Sequence, residues 1–285
     1  MIQSAVAGLV SGGAYAMLGV CLVLVYRMAG VLNFAQAAIG AFGAYATFVL
    51  TENGVAYAPA LLAGAATAAA IGALLGSVMA TWFSEAGSEI RSAVTIAVLI
   101  ALFALAFRSF GDSPRFAPDP FSNATFDVAG VAVGLTGATA IVGAGLVAVG
   151  VGFGLRHTVT GVRLRALSER PATAELIGIR ARRLSIGVWA FAGAVSAPAV
   201  LVIAPSRTSD FLSLGMLIVP ALAAALIGLL RSLELAFVGG LAIGLVEGIA
   251  TNFTSVSPYR QALPFLVIVA VLLWTERSEV WDAQR

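Results

Sequence analysis

Between Leu155 and Ser185 an otherwise apolar chain carries Arg156, Arg163, Arg165, Arg170, Arg180, Arg182 and Arg183. These are seven of its 16 cationic residues, and the apolar runs 135–154 and 186–204 lie on either side. One arginine at the centre of a lipid-spanning helix costs roughly 2.5–3.5 kcal/mol, so seven together would cost on the order of 20 kcal/mol. The window must therefore sit in water, and its charge places it on the cytoplasmic side. The expected architecture is an all-α polytopic membrane protein with one long, basic, structured cytoplasmic loop, built for a partner.

Composition agrees. Hydrophobic residues make up 60% of the chain and charged residues 11%, with a mean hydropathy of +1.00. Soluble domains carry about a quarter charged residues. A chain of 285 residues has room for eight or nine spans of about 20 residues each. The net charge of +2 is local arginine, and reflects membrane orientation rather than nucleic acid binding. The first apolar run, 5–25, has no basic segment before it and is long enough to span, so no cleavable signal peptide is expected.

Absences narrow the chemistry. There is no lysine, hence no P-loop lysine, no Walker-type ATP site and no Schiff base. The only cysteine, Cys21, lies inside the first run, which excludes an intrachain disulfide and CxxC metal sites. The only histidine, His157, cannot form HExxH or any paired-histidine site. No cofactor, no metal and no catalytic residue are expected, and the chain is not expected to be an enzyme.

Candidate spans fall at 5–25, 31–50, 59–82, 93–110, 135–154, 186–204, 214–230, 235–251 and 262–275. With the arginine loop of about 155–185 inside, alternation puts Arg27, Arg91, Arg231 and Arg277 inside as well. Arg115, Arg207 and Arg260 fall outside, together with the Pro- and Asp-bearing segment 111–134 (Asp112, Pro114, Pro118, Asp119, Pro120, Asp127), an irregular external cap. The N-terminus is then external and the C-terminus internal. Run 31–50 is the weakest, opening with Asn33 and Gln36 and interrupted by Gly40 and Gly43. It reads as a discontinuous helix lining a cavity, because irregular backbone at membrane depth survives only there. Were it not to cross, the count would be eight and the N-terminus internal.

Asn33, Gln36, Gly40 and Gly43 stand at i, i+3, i+7 and i+10, one helical face. They would form a narrow, uncharged polar stripe for a small zwitterion or amide, with Phe34 beside it and Tyr15 facing it from the first span. The alternative is that the amides cap a helix start and the glycines only pack. Gly240, Gly244 and Gly248, and likewise Gly72 and Gly76, form small-residue stripes that let another helix approach. Pro198 and Pro220 lie within the sixth and seventh spans and should kink them or free a carbonyl. Glu247 is the one acid well inside a run, too little for a proton relay.

Within the loop, 168–178 reads as a short helix. Ser168 caps it, Glu169 suits the positive dipole end, Pro171 is tolerated in the first turn and Gly178 closes it. Ala172, Leu176 and, less directly, Ile179 give an apolar knob backed by Arg180, Arg182 and Arg183. The alternative is a helix that merely anchors the loop to anionic headgroups.

The stretch Glu169-Arg170-Pro171-Ala172-Thr173-Ala174-Glu175-Leu176-Ile177-Gly178-Ile179 resembles the cytoplasmic coupling segment of branched-chain amino acid ABC transporter permeases (the LivH/LivM family), roughly E-N-P-x-x-A-x-x-x-G-I. Gly8 to Leu18, Leu24-Val25-Tyr26, Asn33-Phe34-Ala35 and Gly43-Ala44-Tyr45 are similar to its G-x-x-x-G-x-x-Y-A-L, L-x-Y and N-F-A-H-G…G-A-Y, and Gly239 to Gly244 to its late Gly-rich span. With no long N-terminal extension, the LivH-type subunit is the expected match. The chain departs from the pattern at Gln36-Ala37, where the family has His-Gly, and at Arg170, where it has Asn. The resemblance implies one permease domain over 1–285 in a bacterial inner (plasma) membrane. It implies a homologous, LivM-like second permease, two cytoplasmic ATPase subunits that bind the ATP, and an external substrate-binding protein. The solute stays open between a branched-chain amino acid, another amino acid, and urea or a short amide. A secondary carrier or channel without ATPase partners is the remaining alternative.

Overall fold

In lipid, a backbone satisfies its own polar groups only as a helix or a closed barrel, and long apolar runs without alternation become helices. The computed structural model describes residues 1–111, 113–115, 117, 125–128, 131–169, 171–206 and 210–283. In chain order these form α1 (Ile2–Ala29), α2 (Gln36–Glu52), α3 (Tyr57–Trp82) and α4 (Ser88–Phe110). A hairpin of β1 (Thr125–Val128) and β2 (Val131–Gly134) follows, then α5 (Leu135–His157), α6 (Val159–Glu169) and α7 (Pro171–Leu176). The chain continues with α8 (Ala181–Ile203), α9 (Phe211–Gly215), α10 (Ile218–Ile227), α11 (Leu233–Ala250) and α12 (Leu263–Ala283). Among the described residues seven helices are long and apolar enough to cross a membrane: α1, α3, α4, α5, α8, α11 and the 257–275 stretch that enters α12.

Packing fixes their directions. Gly8 lies against Gly244 and Gly248, and Gly12 against Gly240 and Leu241, so α1 and α11 are antiparallel. Ala68 faces Gly193 and Gly72 faces Trp189, so α3 and α8 are antiparallel too. Val10 meets Gly137 and Gly13 meets Ala140, so α1 and α5 run the same way. The ends of α1 and α5 therefore share one end of the bundle. Arg91 Nη1, near the start of α4, donates to the Ala29 carbonyl at 3.0 Å, and Arg156 pairs with Glu234 of α11 at 2.8 Å. This end gathers Arg27, Arg91, Arg156, Arg231, α6 and α7, a concentration of positive charge of the kind the positive-inside rule favours on the cytoplasmic side. At the opposite end Ser4 Oγ donates to Asn252 Oδ1, and Arg115 pairs with Glu52. The N-terminus lies at this end, opposite the arginine-rich connection.

Residues 30–52 run from one end of the bundle to the other. The Leu32 and Phe34 amides donate to Ser92 Oγ and Thr95 Oγ1 in the first turns of α4, while Glu52 reaches Arg115 beyond that helix's last turn. The 17-residue α2 is only about 25 Å long, and the irregular 30–35 segment supplies the rest. The discontinuity expected in this run lies before α2; Gly40 and Gly43 leave the helix unbroken. Counting the broken pair α9–α10, nine described segments run from one end of the bundle to the other.

Two expectations need correction. The seventh span, expected at 214–230 with Pro220 within it, is split into α9 and α10, and Pro220 falls in the first turn of α10, where its missing N–H matters least. Pro198 lies inside α8, as expected of the sixth span. The segment 111–134, expected to be irregular, carries the hairpin, with Thr125 opposite Gly134 and Val128 opposite Val131, because short β-branched runs can pair as strands. Asp112, Pro118, Asp119, Pro120 and Arg207 lie outside the described residues.

Gly244→Ala would set a methyl 2.3–2.4 Å from backbone atoms of Gly12 and Gly8, whereas a methyl on Gly143 meets nothing within 4 Å. Gly244→Ala is expected to cost about 1–3 kcal/mol of stability. Thermal unfolding in detergent should show a lowered midpoint for it and an unchanged or raised one for Gly143→Ala.

Candidate functional site

Two regions carry the residues singled out in the sequence. The first is a polar knot at membrane depth where α2 begins. The Asn33 side chain accepts from the Ala35 amide at 3.1 Å, and the Gln36 amide donates to the Asn33 carbonyl at 3.2 Å, a turn that launches the helix. Asn33 Nδ2 donates to Gln36 Oε1 at 2.6 Å. Gln36 Nε2 in turn donates to the Ala192 carbonyl at 2.9 Å and to Ser196 Oγ at 2.6 Å, both on α8. On the other side Thr95 Oγ1 accepts from the Phe34 amide and donates to the Leu32 carbonyl. Asn33, Gln36, Thr95 and Ser196 are all fully buried.

Both amides are thus spent inside the chain, tying α2 to α8 and α4. Gly40 and Gly43 sit on the same side: a Cβ on Gly40 would stand 2.6 Å from the Ser196 carbonyl, and one on Gly43 2.6 Å from the Gly64 carbonyl. Tyr15 is placed elsewhere. Its hydroxyl donates to Glu247 Oε2 at 2.7 Å, buried between α1 and α11. Gly240, Gly244 and Gly248 line that same α1–α11 contact, against Ala16, Gly12, Gly8 and Ser4.

Above the knot, towards the external end, stands a cluster the sequence reading did not find. Phe211 of α9 packs on Phe42, Tyr45 and Phe103 with ring centroids 5.4–5.8 Å apart, and Phe110 closes on Phe42 and Tyr45 at 5.2 and 5.1 Å. The signal available was Phe42 and Tyr45 at i, i+3. Their partner was hidden because Phe211 precedes the run assigned to the seventh span. Asp210 caps α9, its carboxylate accepting from the Ser213 amide at 2.9 Å.

The second region is the arginine-rich connection. Where one short helix was expected, α6 runs to Glu169 and α7 begins at Pro171. Ser168 does not cap; it is the penultimate residue of α6 and donates to the Arg165 carbonyl at 2.9 Å. The preceding helix starts early, because Thr158 caps it by accepting from the Gly161 amide, and it runs on through Ser168. Gly178 does close α7, with φ of 85° and its amide on the Glu175 carbonyl, while the Ile179 amide reaches Ala174. Arg170 and the side chains of Pro171 and Ala172 lie outside the described residues. Ala174 is buried, whereas Glu169 and Glu175 are exposed and Leu176 and Ile177 are 87% and 71% exposed. The apolar knob therefore consists of Leu176 and Ile177, with Ile179 half-buried behind them.

Residues 4–272 match the family model described as the branched-chain amino acid transport system permease component. A branched-chain amino acid transport permease of Methanocaldococcus jannaschii, described as LivH, is 28% identical over 131 residues, covering 42% of this chain and 40% of that relative. The matched stretch is thus less than half of either protein. Among solved structures, an ABC transporter described as of the metal-chelate type, in an inward-facing conformation, superposes at a TM-score of 0.50. It is 17% identical and covers 95% of this chain and 85% of that one, so the likeness is one of fold. PsaBC from Streptococcus pneumoniae, solved with a Fab, reaches 0.49 at 13% identity over 95% of this chain and 89% of its own. With nearly its whole length matched and its helices those of a multi-pass plasma-membrane protein, the chain belongs to the family of permease components of branched-chain amino acid transport systems.

Proposed function

We propose that the chain is the membrane-spanning subunit of an ATP-driven importer for a small polar solute, a branched-chain or related amino acid. A homologous permease stands beside it, two cytoplasmic ATPase subunits bind and hydrolyse the ATP, and an external binding protein delivers the solute. The observation that carries this reading is α7. It stands on the cationic end of a chain without lysine, and with the turn after it offers two exposed aliphatic side chains that no described residue covers. Such a knob in water fits a cleft on a partner, and the partner an importer needs on that side is its ATPase.

The polar knot supplies the route inward from α7. Residues 168–180 lead directly into α8, and α8 holds α2 through Gln36, Ser196 and the close Gly40 contact. A rigid shift of α7 on ATPase closure would move α8 and carry the start of α2 with it. Asn33, Phe34, Gln36, Gly40 and Gly43 then border the solute path through the helix they position rather than by offering free amides. The aromatic cluster of Phe42, Tyr45, Phe110 and Phe211 closes the external half of that path. Affinity resides in the external receptor, so this subunit needs no tight solute site.

Leu176→Glu is expected to lower solute uptake by the assembled transporter by at least about tenfold, the loss of an interface anchor worth ~2 kcal/mol. Membrane abundance of the permease should stay the same; normal uptake would sink the coupling assignment. Gln36→Leu removes both bonds to α8 and leaves Ser196 and Asn33 short of partners, a cost of about 1–3 kcal/mol. It should lower the unfolding midpoint and leave ATP hydrolysis running faster than uptake. Equal loss of the two activities would argue against transmission through the knot.

A further inference from the structure

Between the cytoplasmic halves of α5 and α8 lies an open groove of about 710 Å³, with Leu24 of α1 at its back and α6 across its lower end. Its walls are apolar, chiefly Leu146, Val147, Val151, Val188, Phe191 and Val195. Gly150, Gly154 and Gly187 also line it. None of the three has a positive φ, and a Cβ on any of them would meet nothing within 4 Å. Glycine weakens a helix interior. Among the described residues neither a turn nor a close contact at the Cβ position accounts for Gly150 or Gly187, unlike Gly240 or Gly244, while Gly154 sits where α5 turns into α6 with its carbonyl against Gly161.

The lower end of the groove is different in character. Arg183 and Thr160 line it, and the described ion pairs of the chain involve Arg115 and Arg156, not Arg183. Arg163, Arg180 and Arg182 stand exposed on the same connection, where Glu169 and Glu175 are the only acids between 155 and 185. An apolar furrow between two spanning helices opens onto hydrocarbon, and a guanidinium at its arginine-rich mouth, with no ion-pair partner among the described residues, selects an anion. Basic pockets between spanning helices on this side suit anionic headgroups. A partner helix lying in the furrow would run into α6 at the lower end, whereas a lipid turns outward there from chain to headgroup.

We propose that this groove is a binding site for an anionic phospholipid of the inner leaflet. One acyl chain lies along Gly150, Gly154 and Gly187, and the phosphate rests on Arg183 beside Thr160. The site stands independently of the importer reading, since it needs only the membrane orientation.

The test uses the full chain in nanodiscs of equimolar phosphatidylglycerol and phosphatidylcholine, released into detergent, with retained lipid counted by native mass spectrometry. Phosphatidylglycerol should be retained over phosphatidylcholine by about fivefold, the factor one arginine beside an anionic headgroup supplies. Arg183→Gln should erase that preference. Gly187→Leu should fill the groove and lower retention of both lipids, with thermal midpoint and dispersity unchanged; Gly150→Leu repeats the test should Gly187→Leu fold poorly. Equal retention of the two lipids by the unsubstituted chain would overturn the proposal, as would unchanged retention in both filled variants. So would loss of a co-purifying permease partner from a filled variant whose lipid preference persists, which would assign the groove to protein. Solute uptake is not a readout, so failure here leaves the importer reading untouched.

Discussion

Direct contact between helix backbones holds this molecule together. Lipid tails are as apolar as leucine, so helices in a bilayer gain little by hiding apolar side chains from it and must associate through close packing and hydrogen bonds. The α1–α11 contact is built that way from both sides, with Gly8, Gly12 and Ala16 meeting Gly240, Gly244 and Gly248. The α3–α8 contact uses Ala68, Gly72 and Gly193, and α2 enters the same slab through Gly43 against Gly64. In each case a single added methyl would stand under 3 Å from backbone atoms of the opposite helix. α1 is consequently buried over most of its length although it is no more hydrophobic than its neighbours.

A slab packed so closely tolerates an irregular segment only if its polar groups are met. Gly30 to Ala35 breaks helical order, and Ser92, Thr95 and Asn33 take the Leu32, Phe34 and Ala35 amides and the Leu32 carbonyl. Gln36 then uses its donor on α8 and its acceptor on Asn33. Unmet, each of these groups would cost several kcal/mol in hydrocarbon. The same network that makes the break possible also ties α2 to α8, so the discontinuity and the α2–α8 tie are one feature.

What could be read in advance follows from which forces act locally. Helices α1, α3, α4, α5, α8, α11 and α12 were legible because length and hydropathy alone force them, and Gly178 was legible because αL geometry at a helix end favours glycine. Ser168 misled because Thr158, ten residues earlier, starts a helix whose amphipathic run absorbs it. Nothing local in Pro220 said that the break would fall before it rather than around it. The destination of Gln36 was invisible, since Ser196 lies 160 residues away. Tyr15 likewise found Glu247, 232 residues on, rather than the stripe expected of it. Long-range pairing is what a periodic pattern cannot carry.

Exposure means different things at the two ends of this chain, and that difference separates surface from site. Leu266 and Leu272 of α12 are 64% and 53% exposed, but they face hydrocarbon, where exposure carries no penalty. Leu176 and Ile177 are as apolar and more exposed, yet seven arginines hold their surroundings in water. There an uncovered leucine or isoleucine forgoes roughly 1.5–3 kcal/mol of burial. Two such side chains side by side on a short, capped turn are a standing free-energy gain for whatever protein covers them. The arginines that force the segment out of the bilayer therefore also leave its aliphatic tip facing water.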